Sequence, residues 1–168
     1  MHDNAPILKS RHTHGDFDFY KLVSIVPLAA AVFAIAQESW TWLALYLGWL
    51  LVHMVVVYRV LCTHCPHYGA EDGVTSCHFI AKVPMLFKRR EGPLKPVSMG
   101  VLMLMLSFSS LAPVPWLLRH PDLMVLYFLS LGVLFATMMK YECTRCRNFN
   151  CPKNQVPKEL RSTLPTVE

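Results

Sequence analysis

Six cysteines carry the chemistry available to this sequence, and they fall into two spaced sets. Cys62, Cys65 and Cys77 lie in CTHCPHYGAEDGVTSC; Cys143, Cys146 and Cys151 lie in CTRCRNFNC. In register, Cys62, Thr63 and Cys65 match Cys143, Thr144 and Cys146, and the aromatic Tyr68 matches Phe149. A C-x-x-C turn points two sulfurs at one metal ion. One such turn is a weak signal, but two in matching positions of an internal repeat, each with a third cysteine, point to metal. Six merely buried thiols would not generate that repeat.

Zinc takes four Cys or His ligands in a closed structural site. The first set offers His64, His67 or His78 as the fourth. The second set has no nearby histidine and must borrow a ligand, from the other loop or from His12 and His14. An iron–sulfur cluster is the alternative, since C-x2-C-x4-C-P partly follows ferredoxin runs that also end in Cys-Pro. A composite site of Cys62, Cys65, Cys143 and Cys146 would satisfy either. A dithiol redox centre is a further option, because C-x-x-C lowers a thiol's pKa, but the thioredoxin-like context is missing. No Ser/His/Asp, paired-carboxylate or phosphate-loop constellation is visible, so no catalytic residue is assigned.

The elements that position these cysteines are apolar runs. Of 168 residues, 54% are hydrophobic and 16% charged, too apolar for an ordinary soluble domain. The runs cover about Phe17 to Gln37, Trp40 to Leu61, Val97 to Leu118 and Leu123 to Tyr141. The expected fold is all-α: an integral membrane four-helix bundle of two hairpin repeats, each followed by a cytoplasmic three-cysteine loop. Its parts are a cytoplasmic tail at 1–16, a membrane domain at 17–141 with the first cysteine loop at 62–77, and a cytoplasmic loop and tail at 142–168. Pro27 is expected to kink the first helix, Ser39 to cap the second, and Pro121 with Asp122 to start the fourth. Phe79–Arg90 mixes apolar and basic residues and suits the headgroup region.

The net charge of +5 does not indicate a nucleic-acid partner, because the basic residues sit in loops beside the apolar runs. Fifteen of the 16 Lys and Arg fall at one end of the four runs; Arg119 alone falls at the other. The positive-inside rule therefore places both termini and both cysteine loops in the cytoplasm of a prokaryotic inner or plasma membrane. Thiols there stay reduced, which argues against a disulfide framework. The two C-x-x-C turns are expected to meet if the second and fourth spans pack side by side.

His53 lies within the second run. It reads as a bundle-facing histidine bonded to a neighbouring helix, rather than a haem or quinone contact. No other run contains a second histidine, so no haem is expected.

Cys62-Thr63-His64-Cys65-Pro66-His67-Tyr68-Gly69 and the stretch Cys143 to Pro152 resemble motifs of uncharacterised prokaryotic four-span membrane proteins. Those proteins carry C-T-x-C-x-x-Y-G after a hydrophobic hairpin and C-x-x-C-x4-C-P near the C-terminus. The resemblance implies the four-span architecture and no activity. From the residues, the expected function is membrane metal binding, by zinc or iron–sulfur, as an anchor or electron-transfer subunit of a larger membrane redox complex. A metal handler or transporter, or a membrane thiol oxidoreductase, is the alternative. The lipid bilayer is the first expected partner.

Overall fold

A computed structural model describes Leu8 and residues 14–65, 67–68, 74–75, 83–90, 92–149, 151 and 153–162. Four helices in it are long and apolar enough to cross a membrane. Helix α1 (His14–Glu38) and α2 (Trp40–Val60) form the first hairpin. Ser39 is its corner: in extended conformation, its side chain accepts from Trp42 N at 3.4 Å. That is the N-cap expected from the sequence. Helix α1 runs through Pro27 and is described from His14. Asp16 lies in its first turn, where a carboxylate suits the positive end of a helix.

Helix α3 (Pro96–Leu111) opens the second half with Pro at its first position. Pro113 and Pro115 break its far end, leaving a one-turn α4 (Val114–Leu117). Helix α5 (Pro121–Thr137) then starts on Pro121 with Asp122 in its first turn, as expected. It passes into a π-turn at Met138–Glu142. A short α6 (Lys158–Ser162) lies near the C-terminus. Between the halves in sequence, Val74–Thr75 pairs antiparallel with Val83–Pro84, a two-residue ladder. Gly92 turns the linker at φ 90°, a conformation open to glycine.

The closest packing joins the first and last spans. Helix α1 lies along α5, α2 lies against α3, and α1 also touches α2 and α4. The reason is local: Ala30, Ala31 and Ala34 form a small-residue face, against which Leu117 and Tyr127 are buried. Small residues let backbones approach where lipid supplies no hydrophobic drive. At the opposite end from the cysteines, Arg119 pairs with Glu38 and Trp42 stacks near Trp116 at 5.8 Å. The single basic residue of that end is thus held by a carboxylate from the other hairpin. Leu22, Leu51, Leu104 and Leu129, one from each span, are exposed, as suits contact with lipid.

Among the described residues, the main neighbour of α5 is α1, whose alanine face lies against it, while α2 reaches the same core through Tyr46.

Candidate metal centre

Both cysteine sets begin where a span ends. In the first, α2 tightens at Leu61 into a 3-10 turn at Cys62–His64, and Cys65 N bonds to Cys62 O at 2.9 Å. The Thr63 hydroxyl donates to Arg59 O at 2.8 Å. His64 Nδ1 lies 2.7 Å from Val60 O. A carbonyl only accepts, so Nδ1 carries the proton and Nε2 keeps its lone pair. Fixing the tautomer through one nitrogen frees the other for metal, the usual arrangement around ligating histidines. His67 is buried beside fully buried Tyr68. Cys77 and His78 lie outside the described residues.

A clamp holds this loop. The Tyr68 hydroxyl donates to Phe87 O at 2.7 Å and accepts from Phe87 N at 3.0 Å. Arg90 N donates to Thr63 O at 3.0 Å. Tyr58 packs edge-on to Tyr68 at 5.6 Å, and Arg59 sits over the Phe87 ring at 5.8 Å. The chain after the first cysteines therefore doubles back onto the end of α2.

In the second set, the π-turn delivers Cys143, whose N–H reaches Met138 O at 3.0 Å. The Thr144 hydroxyl donates to Lys140 O at 2.7 Å, the counterpart of the Thr63 bond. The Asn148 N–H points at the Cys146 sulfur at 3.4 Å. Gln155 N closes back onto Cys143 O at 3.0 Å. Asn154 pins the loop: its amide nitrogen donates to Cys146 O at 2.8 Å and Asn148 O at 3.0 Å, and its Oδ1 accepts from Val156 N. Arg161 covers Phe149 at 5.8 Å.

Burial pushes the Cys143 thiol above its usual pKa; the Cys146 and Cys151 sulfurs and Glu142 push the same way, against Lys153. Cys143 thus feels both other sulfurs of its set. Beside them, Gly15, Asp16, Phe19 and Tyr20 of α1 face Tyr141, Glu142 and Arg145 across a cleft. The start of α1, with exposed His14, therefore lies at the second cysteine loop.

Among the described residues, no three His, Cys, Asp or Glu side chains gather tightly enough to enclose a metal ion. Asn154, the Tyr68–Phe87 clamp and the Glu142 cleft are not foreseen from the sequence. Only the aromatic match of Tyr68 with Phe149 hints at any of them.

His53 sits where a bundle-facing histidine is expected. Its Nδ1 is 2.8 Å from Ser109 Oγ on α3. Ser109 Oγ also accepts from Trp49 Nε1 at 2.9 Å and donates to Met105 O at 2.8 Å. One hydroxyl proton and two lone pairs are then fully used, which assigns the His53 proton to Nδ1.

No protein-family model, curated protein or solved structure matches the chain.

Proposed function

We propose that this chain is an integral membrane metal-binding protein with two separate zinc centres, serving as an anchor subunit of a larger membrane complex. What supports the reading is the second loop, where the Asn148 N–H is aimed at the Cys146 sulfur, Asn154 closes the backbone, and the Cys146 and Cys151 sulfurs help raise the Cys143 thiol's pKa. Amide hydrogen bonds to sulfur and a fixed backbone are what a thiolate metal site uses to set its ligands.

Cys143, Cys146 and Cys151 would supply three ligands there, and His14 at the start of α1 would supply the fourth. Cys62, Cys65 and Cys77 would hold the first metal with His64, whose Nε2 is left as an acceptor. Three cysteines and one histidine are a closed structural zinc set. Zinc bound there would draw the thiols into thiolates and lock each loop to its span.

An iron–sulfur cluster is the second reading, favoured by the Cys151-Pro152 ending of the second loop. A thiol oxidoreductase is disfavoured, because its nucleophile needs a lowered pKa and Cys143 is pushed the other way. The matching Thr63 and Thr144 bonds support descent of the two loops from one repeat. The basic residues support a cytoplasmic position for them, in the manner of the prokaryotic four-span proteins whose motifs the sequence resembles.

Zinc, iron and acid-labile sulfide are to be quantified per chain in purified protein. Two zinc ions without sulfide meet the proposal; iron with sulfide selects the cluster; no metal after anaerobic purification with added zinc sinks it. Membrane-impermeant maleimide on intact cells tests orientation, and labelling of Cys65 or Cys146 from outside would reverse it.

A further inference from the structure

The stretch Met85–Arg90 presents two kinds of surface side by side. Leu86 is 67% exposed and Met85 38%. Lys88, Arg89 and Arg90 follow, all exposed. Phe87 between them is fixed by the Tyr68 hydroxyl at both its backbone groups. Its ring lies 6.0 Å from Tyr58 and 5.8 Å from the Arg59 guanidinium. Tyr58 and Arg59 close the second span, where the hydrocarbon gives way to headgroups. Phe87 is therefore anchored at that level, with two apolar side chains before it and three cations after it.

From this placement we infer that Met85–Arg90 is a hook for anionic phospholipid, and that lipid held there orders the first cysteine loop. Met85 and Leu86 enter the acyl boundary, while Lys88, Arg89 and Arg90 meet the headgroup phosphate. A basic cluster beside an apolar step complements an anionic membrane surface, with attraction that fades under salt. Transmission is through bonds already described. Holding the hook holds Phe87 and Arg90, and these hold Tyr68 and Thr63 on either side of Cys65. The inference is independent of which metal the loop binds.

The test uses the full chain as purified, in nanodiscs of phosphatidylcholine, with and without phosphatidylglycerol, and hydrogen exchange of the peptide covering Leu61–Tyr68. Phosphatidylglycerol should slow that exchange about fivefold at low salt, and much less at high salt. The surface variant K88Q/R89Q/R90Q should lose the slowing, whereas exchange within α1 and α5 should not respond to lipid charge. Tyr68→Phe should still capture phosphatidylglycerol, counted by native mass spectrometry, yet lose the slowing. Equal exchange in both lipids for the unmodified chain overturns the inference. So does full slowing in the triple variant, or the same slowing by inorganic phosphate in detergent, which would make the site one for free phosphate.

Discussion

His53 and Ser109 tie the second span to the third, with the imidazole Nδ1 2.8 Å from the hydroxyl oxygen. Ser109 is a hub because Trp49 reaches the same oxygen and the hydroxyl proton goes to Met105. Ser109→Ala leaves two donors within the bundle without their acceptor. Such bonds between membrane helices contribute about 0.6 kcal/mol on average, and stranding a donor costs about 1–3 kcal/mol. We expect Ser109→Ala to lower unfolding free energy by about 1–2 kcal/mol on those figures. A His53/Ser109 double-mutant cycle in detergent unfolding measures the coupling. Strict additivity would mean that the bond does not hold the helices together.

The pKa of Cys143 gives a signed dependence on pH. Burial, then the Cys146 and Cys151 sulfurs, raise it in the folded chain. An unfolded cysteine ionises near about 8.5. Stability from this group is therefore complete below that pH and lost as pH rises through the folded pKa. In chelator, the unfolding temperature should fall on going alkaline, and Cys143→Ser should flatten the fall. With zinc present the trend reverses at the acid side, because ligands must lose protons to bind, so occupancy should drop on acidification. An alkaline profile that Cys143→Ser leaves unchanged counts against the clustered thiols.

Local features are legible in the sequence, and long-range ones are not. The Ser39 cap, the Pro121–Asp122 start and the break at Pro113 each depend on residues within one turn, so composition reveals them. The partner of α1 depends on which face is smooth. Ala30, Ala31 and Ala34 sit in an apolar run that hydrophobicity alone cannot orient. Hydrophobicity therefore does not reveal that α1, rather than α2, is the main neighbour of α5. The Tyr68–Phe87 clamp links residues 19 apart, through a stretch whose alternating apolar and basic residues suggest only a surface segment. The π-turn at Met138–Glu142 has no composition signal, although it sets the direction in which Cys143 leaves the span.

Asn154 and Thr144 hold the backbone of the second loop and are not among the proposed ligands. Asn154→Ala removes two donated bonds and one accepted bond; Thr144→Val removes one. Outer partners of a metal site typically alter affinity about 10–100-fold. Zinc competition titrations should show roughly tenfold weaker binding at the second centre for Asn154→Ala, and a smaller loss for Thr144→Val. Thr144→Ser keeps the hydroxyl and should restore binding. Unaltered affinity in Asn154→Ala would show that the loop does not shape the site.

Metal content decides whether the two proposed centres are one. Helices α2 and α5 lead into the C-x-x-C turns; α5 packs mainly on α1, and α2 on both α1 and α3. The proposal gives each turn its own zinc, because each loop carries three cysteines. Cys62→Ser with Cys65→Ser should therefore remove half the zinc, and Cys143→Ser with Cys146→Ser the other half. Stability losses from distant, independent sites add to within about 0.3–0.5 kcal/mol. The quadruple variant should show the sum of the two double variants, within that margin. His14→Ala should lower only the second occupancy and His64→Ala only the first. If either double variant loses all the zinc, and the quadruple variant is no less stable than the doubles, the loops share one site and the two-centre assignment fails.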